Sequence, residues 1–154
     1  MAQRLLQEIR MSRPFSSPAE EAFLNLWRSA NHLQQGLIEL LRRADLTPTQ
    51  YNVLRILRGS SPEALTCGQV GERMVTREPD VTRLLDRLEK RGLIERTRDQ
   101  RDRRVVTIRI TPAGLESLAG LDQPVADFHV AQLRHMKTGE IEALIDLLEK
   151  ARSS

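Results

Sequence analysis

The chain has 154 residues, which is enough for one domain with its own core and an added oligomerisation element. Hydrophobic residues make up 40% and charged residues 29%, as in soluble globular proteins. Aromatic residues are only 3%, which argues against a surface that stacks the bases of single strands. The longest apolar runs are too short to span a membrane and the N-terminus lacks a signal-peptide core, so we expect an intracellular protein with no membrane partner.

The residues that usually hold metals or perform chemistry are sparse. Cys67 is the single cysteine, and the three histidines have no metal-ligand spacing with one another or with it. No nucleophile–base pair or phosphate-binding loop is recognisable in the sequence. We therefore expect no enzyme, no metal site and no cofactor.

The N-terminal part predicts one long helix. Residues 1–15 are a basic lead-in, either a frayed arm or a short helix docked on a partner subunit. Ser17 as a cap, Pro18 at the first helical position and Glu20 as the partner of a capping box mark the start of the helix. Apolar residues then recur every three or four positions to about Arg43, which predicts a helix long enough to bridge two structural units.

Two shorter helices follow. A second capping pattern at Thr47 predicts the start of a helix that Gly59 should end. Residues 60–65 are predicted to form a loop. Thr66 caps the next helix, which is short. Gly71 inside it weakens the helix intrinsically and therefore suggests close approach to a neighbouring helix, as in a tight helix-turn-helix.

The next helix has an apolar stripe from Val81 to Leu88 and ends at Gly92. Pro79 must lie in its first turn, because a helix tolerates proline only there. Four polar residues fall away from the stripe and should face outward: Arg77, Asp80, Arg83 and Arg87.

Two alternating segments, Leu93–Arg98 and Arg104–Ile110, predict a β-hairpin with an arginine-rich tip at residues 99–103. From position 77 to 111 the chain has eleven Lys and Arg against seven Asp and Glu, a net charge of +4, whereas the whole chain carries +3. Clustered positive charge on a helix and a hairpin is the electrostatic signature of nucleic-acid binding.

The C-terminal part predicts two more helices. Thr111 opens the first, and Pro124 inside its apolar pattern predicts a kink or short break near Asp122 and Gln123. Thr138 caps the second. The apolar faces of these two helices and of the long N-terminal helix lie outside the central unit and need a partner, for which a second copy of the chain is the economical choice.

We thus expect a mostly α fold with a small β-hairpin wing (α+β), in which 1–154 form a single domain. Residues 46–111 form a winged helix-turn-helix lobe, and 1–45 with 112–154 form a helical dimerisation region. A helix fits the major groove of duplex DNA, and an arginine-tipped hairpin can reach phosphates or the minor groove. The predicted DNA-binding residues are Thr66, Arg77, Pro79, Asp80, Thr82, Arg83, Arg87, Arg98, Arg101, Asp102, Arg103 and Arg104.

An acidic entry to the predicted recognition helix is unusual for such a site. Glu78 and Asp80 lie where phosphates approach. These carboxylates either accept hydrogen bonds from cytosine N4 amines or reject wrong sequences by repulsion.

The chain resembles the MarR family (multiple antibiotic resistance regulators) over roughly residues 20–150. The resemblance is carried by LTPTQYNVLRIL, LTCGQVGERM, TGEIEALIDLLEK and above all DRLEKRGLIER with the Asp102, Arg104, Thr111 and Gly114 that follow it. It implies a homodimer with two winged lobes on a pseudo-palindromic operator, wing arginines in the minor groove, and an Asp102 carboxylate that orients Arg104. Members are mostly bacterial or archaeal, hence cytoplasmic, transcription repressors, often released by phenolic acids or oxidants.

The resemblance also suggests where an effector would bind. A small aromatic acid is expected at the junction of dimer helices and lobe, with candidates Trp27, Asn31, His32, Arg55 and Phe128. Peroxide-sensing members carry a reactive cysteine near the start of the first helix, which this chain lacks. Two alternatives remain: a redox-sensing regulator that uses Cys67, and a winged helix for protein interaction without DNA affinity.

Overall fold

A computed structural model of the chain describes residues 4–98, 102 and 104–153. Within these ranges lie α1 (Arg4–Glu8), α2 (Pro18–Arg42), α3 (Pro48–Ser60), β1 (Leu65–Thr66), α4 (Cys67–Arg73), α5 (Val81–Lys90), β2 (Ile94–Arg98), β3 (Val106–Ile110), α6 (Pro112–Leu133) and α7 (Thr138–Arg152). The expected mostly helical fold with a small antiparallel sheet is confirmed. The chain divides into two compact units, one up to Leu37 and one from Ile38 onward.

The first unit contains α1 and most of α2. Glu8 of α1 accepts hydrogen bonds from Arg4 at 3.1 Å and from Arg28 of α2 at 3.0 Å, so the basic lead-in contains a short helix. Ser17 caps α2 by accepting a hydrogen bond from the Glu20 N–H. The Glu20 carboxylate, however, accepts from the backbone and hydroxyl of Ser16 rather than from Ser17, and these hydrogen bonds hold the pKa of Glu20 below its ordinary value.

The second unit has a three-stranded sheet in the order β1-β3-β2. The predicted β-hairpin is formed by β2 and β3, and its register pairs Arg96 with Ile108 and Arg98 with Val106. Leu65, predicted to lie in a loop, instead pairs with Ile108 as part of β1. A strand of two residues is too short to show an alternating pattern, so only tertiary pairing reveals it.

The core of this unit consists mostly of aliphatic side chains, which come from every element of the lobe and from α2 and α6. Burying each one fully contributes about 1.5–3 kcal/mol relative to exposure. The core side chains with at most 2% of their surface exposed are Leu41, Val53, Leu54, Leu57, Leu65, Val70, Leu85, Leu88, Ile94, Ile108 and Leu118.

Several predicted helix boundaries were wrong. α3 continues through Gly59 to Ser60, whose hydroxyl donates to the Ile56 carbonyl at 3.0 Å. α7 is preceded by Lys137 as its N-cap residue, not by Thr138, and Glu140 accepts from the Lys137 N–H at 2.8 Å. A carboxylate three residues into a helix can satisfy such an N–H without any capping hydroxyl.

Of the kink or short break expected in α6, the break is absent from the described residues, and the kink stays a prediction. The helix runs from Pro112 to Leu133 with Pro124 inside it. Leu121 and Val125, on either side of the proline, are both buried. Their packing offsets the single backbone hydrogen bond that Pro124 cannot make.

A bidentate ion pair holds α6 to α3. Both terminal nitrogens of Arg58 donate to the Asp122 carboxylate at 2.8 Å. The Arg58 guanidinium lowers the pKa of Asp122, and the hydrogen bond to Asp122 raises the pKa of Arg58. Paired parallel hydrogen bonds of this kind fix orientation as well as distance.

The start of α6 is packed too closely for any side chain at Gly114. Thr111 caps the helix by accepting from the Gly114 N–H at 3.1 Å, and its hydroxyl donates to the Gly92 carbonyl at 2.7 Å. A Cβ atom on Gly114 would lie 2.3 Å from the Leu93 carbonyl oxygen and 2.7 Å from Cγ1 of Ile110. Only glycine lets α6 begin here.

We expect Gly114→Ala to lower the free energy of unfolding by about 1–3 kcal/mol, because the added methyl overlaps a backbone oxygen that cannot move aside. Gly120→Ala is the matched control in the same helix, since a Cβ there meets nothing within 4 Å. The control should gain up to about 1 kcal/mol from helix propensity. Urea unfolding of both variants checks this, and equal stability of the two would contradict it.

Candidate nucleic-acid interface

Helix α5 presents one apolar and one polar face. Leu84, Leu85 and Leu88 are buried in the lobe. The four residues expected to face outward (Arg77, Asp80, Arg83 and Arg87) are exposed, and so is Thr82. The polar face therefore remains available for a partner.

The turn before α5 is attached to α3 by a hydrogen bond. The Val75 N–H donates to Oδ1 of Asn52 on α3 at 2.9 Å. A Cβ on Gly71 would lie 3.4 Å from Cγ2 of Val81, which is an ordinary van der Waals distance, so α4 packs beside the start of α5 without an approach that requires glycine. The hydrogen bond helps to set the angle at which the polar face of α5 is presented.

The first turn of α4 carries the capping box predicted at Thr66. Its hydroxyl accepts from the Gln69 N–H at 3.3 Å, and its own N–H donates to the Gln69 side chain at 2.9 Å. The Thr66 backbone N–H is therefore used within the helix. Its hydroxyl hydrogen remains the group that Thr66 can donate to a phosphate.

Asp80 has a structural role that the sequence interpretation missed. It is the N-cap of α5, and its Oδ1 accepts from the Arg83 N–H at 2.9 Å. Pro79 consequently precedes the helix, so its predicted place in the first turn was wrong. An aspartate cap stabilises a helix by about 1 kcal/mol, which is sufficient reason for an acid at this position without any contact to a base.

Arg96 connects the wing to α5 and was not among the predicted site residues. From β2 it donates to Oδ1 of Asp86 at 2.5 Å and to the Thr82 carbonyl at 3.2 Å, and it lies 3.2 Å from Oε2 of Glu89. Its side chain is 23% exposed. The available signal was the acid pair at i and i+3 on α5, but which cation it would meet depended on the fold.

The wing strands carry exposed residues toward their tip. Arg98, Asp102 and Arg104 are exposed. Oδ1 of Asp102 accepts from the backbone N–H of Arg104 at 2.9 Å, so the contact seen between these two residues involves the main chain of Arg104. The predicted site residues Arg101 and Arg103 lie outside the described residues.

The predicted effector residues are divided between the two units. In the first, Trp27 is 60% exposed, the Asn31 amide donates to the Trp27 carbonyl, and His32 is exposed. In the second, Arg55 lies 5.9 Å from the centre of the Tyr51 ring, and Phe128 is half-buried. The pocket formed by both sets stays a prediction.

Cys67 is a free, half-buried thiol in the first turn of α4. Its Sγ lies 3.8 Å from Oγ1 of Thr82, in the first turn of α5. Across the described ranges, no group of three His, Cys, Asp or Glu side chains is placed to hold a metal ion. Nor does any described helix combine the length and apolar character needed to cross a membrane.

Comparisons with known proteins agree with this geometry. The MarR family model matches residues 46–106. A MarR transcription factor from Planctomyces limnophilus is 41% identical, with 88% of this chain and 98% of that chain covered at a TM-score of 0.68. The structure of the Staphylococcus aureus MepR–DNA complex is 25% identical, covers 84% and 95% respectively, and has a TM-score of 0.76.

Among curated proteins, the transcriptional repressor MdtR of Bacillus subtilis is 33% identical over 91 residues, which are 59% of this chain and 57% of MdtR. The family match lies on the lobe built by α3 to β3, and the Planctomyces similarity extends it to most of the chain. The chain belongs to the MarR family of winged helix-turn-helix, DNA-binding transcription regulators, which are not enzymes.

Proposed function

We propose that two copies of this chain bind a pseudo-palindromic operator in the bacterial or archaeal cytoplasm and repress transcription there. The observation that carries the proposal is the contact of Arg96 with Asp86, Glu89 and the Thr82 carbonyl. It holds an arginine-bearing strand beside the exposed polar face of α5. Helix α5 and the wing would thus form a single surface, in which the helix contacts base edges and the wing contacts phosphates.

The α5 half of this surface is suited to reading sequence. Thr82 and Arg83 are exposed in its first turn. Arginine can bond guanine O6 and N7 at once, and a threonine methyl can contact a thymine methyl. Arg77 and Pro79 lie exposed in the segment just before the helix, where they can add contacts at the groove edge.

The wing half is suited to affinity. Arg98 and Arg104 are exposed near the tip. The narrow minor groove concentrates negative potential, which attracts guanidinium groups. The Asp102–Arg104 backbone contact gives the strand end a defined conformation, which limits the conformational entropy lost when Arg104 binds.

A second copy of the chain would cover apolar surface that each unit leaves exposed. No residue of α7 is buried, and Leu147 and Ile145 are 65% and 49% exposed. On α2, Phe23 and Trp27 are 61% and 60% exposed. Apolar surface of this extent marks an interaction site, and a symmetric dimer buries both patches at once.

The direction of regulation and the effector are further parts of the proposal. MdtR, which is 33% identical over 91 residues, is a transcriptional repressor. A small aromatic carboxylate would release the operator on binding, with Arg55 as the candidate partner of its carboxylate group. Arginine can form two parallel hydrogen bonds with a carboxylate, and aromatic side chains can pack against the ring of the ligand.

We predict that Arg104→Ala weakens operator binding more than about tenfold, because each wing loses a phosphate or minor-groove contact. The slope of log affinity against log salt should fall by about one per subunit. The measurement is a salt-controlled titration of a duplex selected from genomic fragments. Arg134→Ala, an exposed arginine at the end of α6, should leave both values unchanged; unchanged affinity in Arg104→Ala would refute the wing assignment.

Arg96→Gln should weaken operator binding about tenfold with an unchanged salt slope, because Arg96 acts through Asp86 and Glu89 rather than on a phosphate. Amide hydrogen exchange in β2 should also become faster, and Arg96→Lys should recover part of the affinity by retaining the charge. A salt slope that falls as in Arg104→Ala would show that Arg96 contacts DNA and would overturn the positioning role.

A panel of aromatic carboxylates should include at least one that binds and lowers operator affinity. Trp27 is the single tryptophan, so a change in its fluorescence is one readout of ligand binding. Arg55→Gln should weaken that binding about tenfold by removing the carboxylate partner. Absence of both heat in calorimetry and any change in DNA binding across the panel would refute an aromatic-acid effector.

A further inference from the structure

A cavity of about 600 Å³ lies where the end of α2, the start of α3 and the last turns of α5 meet. All of its lining residues belong to the unit that begins at Ile38. Its apolar lining comes from Ile38, Leu46 and Pro48, and Leu46 is only 4% exposed. Its size and partly apolar lining are those of a small-molecule site rather than of a convex DNA-contacting surface.

The charged residues that line the cavity are mostly positive. Arg42, Arg87, Lys90 and Arg91 line the cavity, and Asp45 is the one acidic side chain among the lining residues. Arg91 already donates a hydrogen bond from Nη1 to the Asp45 carbonyl at 2.5 Å, and its Nη2 forms an ion pair with the Asp45 carboxylate at 3.3 Å. These contacts hold the Arg91 side chain in place, and the lining residues together carry a net charge of +3.

Helix stability explains only part of this charge. Lys90 and Arg91 lie at the end of α5, where cations offset the negative end of the helix dipole. Arg42 comes from a different helix, and its pairing with Glu39 at 3.2 Å is exposed and therefore weak. The first turn of α3 at Pro48 adds the positive end of a second helix dipole to the same cavity.

We propose that this cavity binds a small organic anion with two or more negative charges, a di- or tricarboxylate or a phosphate ester. Arg42 and Lys90 would hold the anion from opposite helices, and the fixed Arg91 would orient it. The apolar lining would contact the carbon skeleton of the ligand. A single carboxylate would leave most of the lining charge uncompensated, so monoanions should bind more weakly.

Arg87 would connect this site to DNA, and this step rests on the proposed function. Arg87 lines the cavity and also belongs to the predicted DNA-binding set. An anion that engages Arg87 withdraws it from a phosphate, so anion and operator should weaken each other by the same factor.

The test is calorimetry on the full chain without DNA, with citrate, pyrophosphate and benzoate at constant ionic strength. We expect citrate or pyrophosphate to bind with a Kd below about 1 mM, and benzoate to bind at least about tenfold more weakly. Comparing citrate with pyrophosphate distinguishes a carboxylate from a phosphate ligand. The double variant R42Q/K90Q should weaken binding more than about tenfold, whereas R43Q/K150Q, which removes two cations outside the cavity, should not.

A second experiment repeats the operator titration in the presence of each anion. Citrate or pyrophosphate should lower operator affinity for the wild type and not for R42Q/K90Q. Absence of binding by both anions, or equal binding by R42Q/K90Q and wild type, would overturn the proposal. So would a loss of operator affinity in R42Q/K90Q without anion binding, which would make the cavity a phosphate-contacting part of the DNA surface. Failure of the wild type to bind any operator would overturn the proposed function while leaving the calorimetric result intact.

Discussion

The contact between Gly114 and the Leu93 carbonyl oxygen is the constraint on which the arrangement of the lobe and α6 depends. A Cβ at position 114 would lie 2.3 Å from that oxygen, so backbone packs directly on backbone. Thr111 connects the same elements, because its N–H donates to the Leu93 carbonyl and its hydroxyl to the Gly92 carbonyl. The end of α5, the start of β2 and the start of α6 are therefore packed together at one junction. This packing fixes where α6 begins relative to the lobe elements that present the polar face of α5.

The second constraint is that several arginines between positions 77 and 111 are paired with groups of the same chain. Arg96 is paired with Asp86 and Glu89, and Arg91 with Asp45. Arg109 donates to the Pro62 carbonyl across the sheet. These three arginines hold the wing, the α2–α3 connection and the loop before β1. They therefore add to the net charge without being free to contact DNA phosphates. The positive charge available for the proposed contacts with DNA is consequently smaller than the sequence count indicates. Among the described residues, it is carried by the exposed Arg83 and Arg87 on α5 and Arg98 and Arg104 on the wing.

Sequence patterns predicted the parts of this structure that depend on local interactions. The capping boxes at Thr47 and Thr66 are formed as expected, because their partners lie three residues away. The hairpin of β2 and β3 was also predicted, from its alternating residues. What the patterns missed depends on distant partners: β1 exists because β3 pairs with it, α6 passes through Pro124 because its neighbours are buried, and Arg96 meets Asp86 across ten residues. The cavity beside α5 joins three helices, so no local pattern contained it.

The charges along α5 show how stability and binding share one helix. Asp80 at the beginning and Lys90 at the end each match the helix dipole, which stabilises the helix before any partner binds. Between them, Arg83 and Arg87 are exposed and four residues apart, so they lie on the same side of the helix. Arg83, in the first turn, does not line the cavity, whereas Arg87 does. Under the two proposals, Arg87 would contact either a DNA phosphate or the bound anion but not both. Competition for that one side chain is a physical route by which a bound anion would weaken DNA binding.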